Sequence, residues 1–311
     1  NGSTLSVALF TNLSHDHLDY HGNMQAYAAT KARLFHWDGL KYAVLNFDDV
    51  FSVELTKQLT GRATNIIGYG FEELAIKERD PKLFKMVHGR NLRVSSQGLE
   101  FDVVFEGERI KVKTALIGEF NASNLLAVLS TLLACGLSLS DAVKSLQEIQ
   151  PIPGRMEKFG GGSLPLVVID FAHTPEALEK TLIALRVVIN SAKDISKIKN
   201  KKSKLICIFG CGGDRDQDKR AFMGKIATEL SDETIITSDN PRNEDPSSII
   251  NEIVSGADIN YLVQENREAA IRRGLYGAHK GDIILIAGKG HEIYQEIGKK
   301  RFPFSDAKVV R

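Results

Sequence analysis

The stretch that decides the fold runs from Leu205 to Arg242 and reads LICIFGCGGDRDQDKRAFMGKIATELSDETIITSDNPR. It opens with a short, Ile-rich apolar run, which predicts a strand that is buried on both faces. Glycines follow at once, so the backbone is able to turn sharply there and to approach a ligand closely. An amphipathic helix over 219–230 and a second β-rich run over 234–238 complete a β–α–β pattern.

Both predicted strands lead directly into charged residues. The first is followed by Asp214, Arg215 and Asp216, and the second by DNPR at 239–242. Ligands of open α/β sheets bind at the carboxyl ends of the strands. Two guanidinium groups close to carboxylates suit a zwitterion, most simply an amino acid. Solvated loop charges are the alternative, which we favour for Asp216 and for Lys219 when each is considered by itself, and which stays open for Arg215 and Arg242.

Length and composition restrict the class of protein further. The 311 residues are enough for two domains, and the net charge of +1 argues against a nucleic-acid or membrane partner. There is no stretch of membrane-spanning length and no charged-then-apolar leader. Three cysteines at positions 135, 207 and 211 lack metal-ligand spacing, which predicts free thiols in a reducing cytosol.

Strands and helices alternate along the chain, which predicts the α/β class. Pro151-Ile152-Pro153-Gly154 is the clearest linker, so we predict one domain over 1–154 and another over 155–311. The alternation after the linker predicts a doubly wound, mostly parallel sheet. Before it, short alternating runs separated by glycine predict an antiparallel meander at 92–96, 99–105 and 109–115.

The first half of the chain carries its own candidate residues. Histidines and aspartates are interleaved in TNLSHDHLDYHG, at 11–22, a density that suits a divalent ion or phosphates. In the following helix Lys31 shares a face with apolar residues, and an outward, snorkelling side chain is the simplest interpretation. Asn121 and Asn124 lie one turn apart near the start of another helix. Capping explains Asn121 but not Asn124.

Seven short motifs occur in a fixed order between residues 11 and 292: TNLSHDHLDYHG, LIGEFNASN, PIPGRME, IDFAHTPEAL, FGCGGDRD, DNPR and GKGHE. Each is weak alone, but together they resemble the Mur ligases, and among these the members that add meso-diaminopimelate. The resemblance implies an ATP-dependent enzyme of peptidoglycan precursor synthesis in the bacterial cytoplasm. ATP phosphorylates the carboxylate of UDP-MurNAc-L-Ala-D-Glu, and the amine of the incoming amino acid attacks the acyl phosphate.

The family has three domains, and this sequence departs from that pattern at its start. It contains no G-x-x-x-x-G-K-[ST] phosphate loop and nothing similar to the nucleotide-sugar domain. The resemblance therefore implies a carboxy-terminal portion, with the later part of the central ATPase domain over 1–154 and a Rossmann-like amino-acid domain over 155–311. We expect a monomer with small-molecule substrates, and no ligation by these 311 residues alone.

The resemblance also implies roles for residues that bind metal and nucleotide. His17 matches the histidine of a magnesium site, and Lys31 matches a carbamylated lysine. A desolvated amine adds carbon dioxide, and the carbamate would hold a second Mg²⁺ beside the acyl phosphate, which reverses the snorkelling interpretation. Contacts to the adenine, phosphate and ribose of ATP are implied for Asn121, Asn124, Arg155, Asp170 and His173. A helix cap near residue 175 is the alternative for Asp170.

The choice of amino acid follows from the DNPR motif, which Asp239, Asn240, Pro241 and Arg242 match at every position. By resemblance Arg215 is the second guanidinium of the site, and Gly288 and Glu292 contact the ammonium end of the substrate. Lysine would leave Arg242 buried and unpaired, at a cost of at least about 1–3 kcal/mol. Hydrogen-bonding sites discriminate by up to roughly 10⁴-fold, so we expect diaminopimelate. A lysine-adding or folylpolyglutamate-type ligase, or a non-catalytic amino-acid-binding module, are the alternatives.

Overall fold

The structure, a computed structural model, describes residues 4–13, 22–72, 84–193 and 203–311. It divides into two compact units. The first unit contains the described residues up to Arg93 together with 99–114 and 119–149. The second contains 94–98, 115–118 and the described residues from Gln150 to Arg311.

Within the described residues, a six-stranded sheet in the order β1-β2-β3-β4-β5-β6 forms the centre of the first unit. The pairs β1–β2, β2–β3 and β3–β4 are parallel, and β5–β6 is antiparallel. The strands are β1 (Val7–Phe10), β2 (Tyr42–Asn46), β3 (Asn65–Gly70), β4 (Phe84–Val94), β5 (Leu99–Phe105) and β6 (Glu108–Thr114). The helices are α1 (Met24–Ala32), α2 (Phe51–Gln58), α3 (Glu119–Ala134) and α4 (Leu139–Gln147), with a 3₁₀ turn at Arg33–His36.

Aromatic and aliphatic side chains from the parallel strands make the core of this unit. Phe10, Leu45 and Phe47 are almost completely buried together. Phe47 also meets Phe84 edge to ring, with 5.5 Å between the centroids. The core therefore fixes the ends of β1 and β2, from which the candidate metal-binding segment and α2 continue.

The first run of the predicted meander is only the end of a longer strand. β4 begins at Phe84 and pairs in parallel with β3, from Ile66 opposite Phe84 to Gly70 opposite His88. Charged and polar residues interrupt its apolar pattern, and its burial does not alternate regularly. The period-two signal that identifies a half-buried strand is therefore weak in this segment.

The second unit has a mostly parallel sheet in the order β11-β10-β9-β12-β8-β7, which confirms the predicted α/β class. Only β7, at the edge, pairs in antiparallel fashion. The strands are β7 (Glu157–Gly160), β8 (Leu166–Asp170), β9 (Leu205–Phe209), β10 (Glu233–Ile236), β11 (Tyr261–Val263) and β12 (Ile283–Ala287), followed by the hairpin β13 (Tyr294–Ile297) and β14 (Lys300–Pro303). The helices are α5 (Pro175–Lys193), α6 (Lys219–Leu230), α7 (Pro246–Val254), α8 (Arg267–Gly277) and α9 (Asp306–Val310).

A buried ion pair fastens the C-terminal helix to this sheet. Arg267 donates to both carboxylate oxygens of Asp306 at 2.8 Å and to the carbonyl oxygen of Ala287 at 3.0 Å. Both charged side chains are fully buried. The pair therefore anchors α9 at the end of β12, where one of the predicted site loops begins.

The three cysteines differ in their burial. Cys207 and Cys211 are buried and Cys135 is exposed, all as free thiols. Burial raises the pKa of the Cys207 and Cys211 thiols to about 12. Among the described residues, no helix combines the length and the apolar character needed to cross a bilayer.

Candidate functional site

The predicted amino-acid residues lie on loops that leave one edge of the second sheet. The strands β8, β12, β9 and β10 are successive neighbours and run parallel. Their carboxyl ends therefore lie on the same side of the sheet, which we call the loop edge. The segments that start there are 171–174, 288–293, 210–218 and 237–245. The fold thus brings together residues that are far apart in the sequence.

Arg242 is fixed at the loop edge by its backbone and by its side chain. Its N–H donates to the Glu296 carbonyl at 3.1 Å, its carbonyl accepts from the Gly298 N–H at 2.6 Å, and a parallel bridge pairs it with Ile297. Nη1 donates to the Gly213 carbonyl at 2.6 Å, and Nε lies 3.3 Å from Glu296 Oε2. The side chain keeps 21% of its exposure. The guanidinium is therefore both held in place and accessible to an anion.

The side chain of Arg215 also lies beside Gly212. A Cβ atom placed on Gly212 would lie 2.9 Å from Arg242 Nη1 and 3.9 Å from Arg215 Cγ. Arg215 is exposed and donates from Nη1 to the carbonyl oxygen of Asp214 at 3.1 Å. The side chains of two arginines therefore lie beside the same glycine, and a guanidinium is the group that binds a carboxylate bidentately.

Buried polar groups from three segments meet around Asn240, which is 3% exposed. Its Nδ2 donates to Glu292 Oε2 at 2.8 Å. Its Oδ1 accepts from the Glu296 N–H at 2.9 Å and from Lys289 Nζ at 2.8 Å. The sequence predicted Asn240 and Glu292, but not Lys289 or Glu296. Lys289 lies within the GKGHE motif and was visible there, whereas a hairpin glutamate carries no comparable signal.

The two predicted carboxyl groups of this site have opposite electrostatic environments. Burial raises the pKa of Asp239, against the attraction of Arg267 and Lys289. Burial also acts on Glu292, but hydrogen bonds from Lys289 and Asn240 outweigh it, so the pKa of Glu292 lies below its usual range. The lowered pKa favours the ionised form of Glu292, which suits a substrate ammonium group.

Gly288 and Pro241 contribute backbone rather than side chains. Gly288 has a φ of +110°, and a Cβ atom there would lie 2.6 Å from Asp239 Oδ2. Only glycine tolerates both conditions without strain. Its N–H already donates to the Asp170 carbonyl at 3.2 Å, so a substrate contact would come from its carbonyl oxygen. The Pro241 carbonyl accepts from the Glu244 N–H at 3.1 Å.

Two residues predicted to contact ATP gather around one aromatic ring. The guanidinium carbon of Arg155 lies 4.7 Å from the centroid of the Phe171 ring, and the His173 ring meets Phe171 edge-on at 4.7 Å. The His291 ring is 5.9 Å away, and Lys219 donates to the His173 carbonyl at 2.9 Å. We call these five residues the Phe171 cluster. Its exposed arginine and its lysine suit a phosphate group.

Asp170 directly precedes Phe171 in the sequence, and its side chain binds the backbone of the second unit. Its carboxylate accepts from the backbone N–H groups of Met156 and Ala172, each at 2.9 Å. It does not cap α5, because the Ala177 N–H donates to Thr174 Oγ1 instead. Burial raises the pKa of Asp170. The helix-cap alternative is therefore wrong, and a ribose hydroxyl would have to share oxygens that already accept hydrogen bonds.

The remaining candidates belong to the first unit. Asn121 lies in the first turn of α3, because that helix already begins at Glu119. Asn124 is exposed and its Nδ2 is 3.4 Å from Asn121 Oδ1, so the two amides share one face of the helix. Capping consequently explains neither residue.

Lys31 does not extend freely into solvent. It is half-buried, its Nζ donates to the Asn12 carbonyl at 2.9 Å, and it lies 4.7 Å from the centroid of the Tyr27 ring. His17 falls outside the described residues. In the part of the chain that the structure describes, no three histidine, cysteine or acidic residues are grouped as a metal site. A carbamate on Lys31 would supply the oxygen ligands that Mg²⁺ prefers.

Comparison with known proteins gives independent information on both units. The chain matches the curated UDP-N-acetylmuramoyl-L-alanyl-D-glutamate–2,6-diaminopimelate ligases of Nitrosomonas europaea and Chromobacterium violaceum. The first is 50% identical and the second 44%, each over all of this chain. The matches cover 60% and 59% of those proteins. The chain thus spans about three fifths of the length of the curated relatives that it matches.

A solved structure of a ligase with the same name superimposes with a TM-score of 0.66 and 35% sequence identity, over 98% of this chain and 59% of that one. The model of the Mur ligase middle domain matches residues 2–132, and the model described as "Mur ligase, glutamate ligase domain" matches residues 154–290. Sequence, fold and the order of the two domains therefore agree, and the chain belongs to the Mur ligase family.

Proposed function

We propose that the chain is the carboxy-terminal portion of a ligase that adds meso-diaminopimelate to UDP-MurNAc-L-Ala-D-Glu in peptidoglycan precursor synthesis. The reaction proceeds through an acyl phosphate, which the amine of diaminopimelate attacks to form the amide. The observation that carries the proposal is that the side chains of Arg242 and Arg215 both lie beside Gly212 at the loop edge. The names of the curated relatives support the same substrate.

The amino-acid preference follows from the charges at the loop edge. Diaminopimelate differs from lysine by a carboxylate on its distal carbon, and that group pairs with Arg242. The ammonium group on the same carbon pairs with Glu292, whose lowered pKa favours its ionised form. Lysine offers no anion to Arg242, which would then be desolvated without a new partner. The site thus selects by charge at the far end of the substrate.

We propose that residues 1–154 and 155–311 act as the ATPase and amino-acid domains. Asn121 and Asn124 contact the adenine region, and the Phe171 cluster and Asp170 contact phosphate and ribose. Lys31, as a carbamate, and His17 hold Mg²⁺, which would neutralise the developing phosphate charge. The complete enzyme is a cytoplasmic monomer that acts on small molecules, with no nucleic-acid or membrane partner.

The test is a hybrid ligase, in which this chain replaces the matching segment of the Nitrosomonas europaea ligase. We expect amide formation with meso-diaminopimelate at a kcat/KM at least about 10³-fold above that with lysine. The 311 residues alone serve as the control and should release no ADP. Equal use of the two amino acids would contradict the proposed substrate. Ligation by the 311 residues alone would contradict the proposal that the chain needs the rest of the enzyme for activity.

A second prediction concerns Lys31. Lys31→Ala in the hybrid ligase should lower kcat by about 10³-fold, because the anionic oxygens of a carbamate are lost. Short carboxylic acids such as formate or acetate should restore part of the activity by occupying the vacated space, and should not affect wild type. Lys57→Ala, on the exposed end of α2, is the matched control. Absence of rescue, or full wild-type activity in buffers freed of carbon dioxide, would argue against carbamylation.

A further inference from the structure

Lys289 is a buried lysine at the loop edge to which no role has been given. It follows Gly288 at the end of β12, and its side chain is 0% exposed. Nζ donates to Asn240 Oδ1 and to Glu292 Oε2, each at 2.8 Å, and lies 4.0 Å from Asp239 Oδ1. An ammonium group has three donor hydrogens. Two hydrogen bonds and one longer charge contact therefore join Nζ to residues of the candidate amino-acid site.

The contact with Lys289 decides how the Asn240 amide is oriented. A lysine only donates, so it requires the amide oxygen on its side. The Glu296 N–H donates to the same oxygen at 2.9 Å. Both donors therefore require the amide oxygen of Asn240, rather than its nitrogen, on this side. The amide nitrogen is consequently turned to Glu292 Oε2, 2.8 Å away. Without Lys289 one of these two constraints on the amide is lost.

The same contact decides which oxygen of Glu292 is available. Oε2 accepts from both Lys289 and Asn240. Within the described residues no hydrogen bond reaches Oε1, and the side chain keeps 23% of its exposure. Glu292 is thus held by one oxygen and presents the other. A carboxylate fixed in this way is suited to receive an ammonium group in one direction only.

We propose that Lys289 is a positioning residue of the amino-acid site, which orients Asn240 and Glu292 so that Glu292 Oε1 receives the substrate ammonium. This inference rests on the proposed function. The inference adds to the proposed function a residue that acts through Asn240 and Glu292 and does not itself contact the substrate. A buried ion pair need not stabilise a fold, and in this case its effect is on the geometry of the site.

The test uses the hybrid ligase with Lys289→Met, which keeps the length and apolar stem of the side chain and removes the charge. We expect the KM for meso-diaminopimelate to rise about 30-fold or more, because two partners of a buried charge are released. The KM for ATP should change less than about twofold. Lys300→Met, at an exposed lysine on β14, is the matched control and should leave both KM values unchanged.

A double mutant separates positioning from a general effect on stability. If Lys289 acts through Glu292, Lys289→Met should raise the KM only about threefold or less when it is added to Glu292→Gln. A purely structural role would multiply the two effects, and a KM for meso-diaminopimelate unchanged by Lys289→Met would also overturn the inference. Lys289→Gln keeps hydrogen-bond donors without the charge and should lie between Met and wild type. If both single variants are unfolded at the assay temperature, the lysine is structural and the inference fails.

The outcome for the wild-type hybrid is read separately. If wild type does not use meso-diaminopimelate, the proposed function fails, whatever the variants show. If wild type uses it and Lys289→Met has an unchanged KM, the proposed function stands and only the positioning role is rejected.

Discussion

Arg242→Ala in the hybrid ligase is expected to lower kcat/KM for meso-diaminopimelate by about 10³-fold while the KM for ATP stays within about twofold. Removing one partner of a partly buried charge pair costs 2–5 kcal/mol or more, about 30-fold to several-thousand-fold. We expect an effect in the upper part of this range for two reasons. The substrate carboxylate loses its charged partner, and Glu296, which lies 3.3 Å from Arg242 Nε, is also left without this contact. Steady-state kinetics with each substrate varied in turn measures both values.

Arg301→Ala is the matched control for this prediction. Arg301 is also a guanidinium directed at Glu296, with Nε 4.0 Å from Oε1, but its side chain is 63% exposed and stacks on Tyr294. An exposed pair of this kind contributes little, so kcat/KM should change less than about threefold. Equal losses for diaminopimelate and ATP in Arg242→Ala, or equal losses in the two arginine variants, would contradict the assignment of Arg242.

The four central strands of the second sheet, β8, β9, β10 and β12, were predictable because each is a short, mainly apolar run followed by a polar loop. The prediction for 205–209 matches β9, and that for 234–238 overlaps β10 with a shift of one or two residues. β7 and α9 were missed. β7 lies at an edge and is only partly buried, and α9 has five residues, too few for a helical period to appear.

Sequence motifs predicted which residues lie at the loop edge, but not the hydrogen-bond and ion-pair partners that fix their side chains. Arg242, Asn240 and Glu292 belong to sequence motifs. Their partner Glu296 lies in a hairpin whose contact with DNPR depends on tertiary structure. Arg267 contacts Asp306 from the first residue of α8, and no spacing along the chain relates the two. Pairings of this kind are set by packing, which a single sequence does not encode locally.

Gly154→Ala is expected to lower the stability of the second unit strongly. Gly154 has a φ of +69°, and a Cβ atom there would overlap the backbone of Gly290 and His291. The left-handed backbone costs an alanine about 1 kcal/mol or more, and overpacking against a backbone that cannot move aside costs a further 1–3 kcal/mol. We therefore expect the free energy of unfolding to fall by about 3 kcal/mol, measured by urea denaturation of the 311-residue chain.

Gly162→Ala isolates the backbone contribution to this effect. Gly162 has nearly the same φ, +68°, but no atom lies within 4 Å of a Cβ placed there. The free energy of unfolding should fall by about 1 kcal/mol in Gly162→Ala. The difference between the two variants therefore measures the contact of Gly154 with the GKGHE loop. The backbone of Gly154, in the PIPGRME motif, packs directly against the loop that carries Lys289 and Glu292. A glycine at this position therefore lets the loop lie where the candidate site needs it. Equal losses in Gly154→Ala and Gly162→Ala would show that this close approach has no energetic consequence.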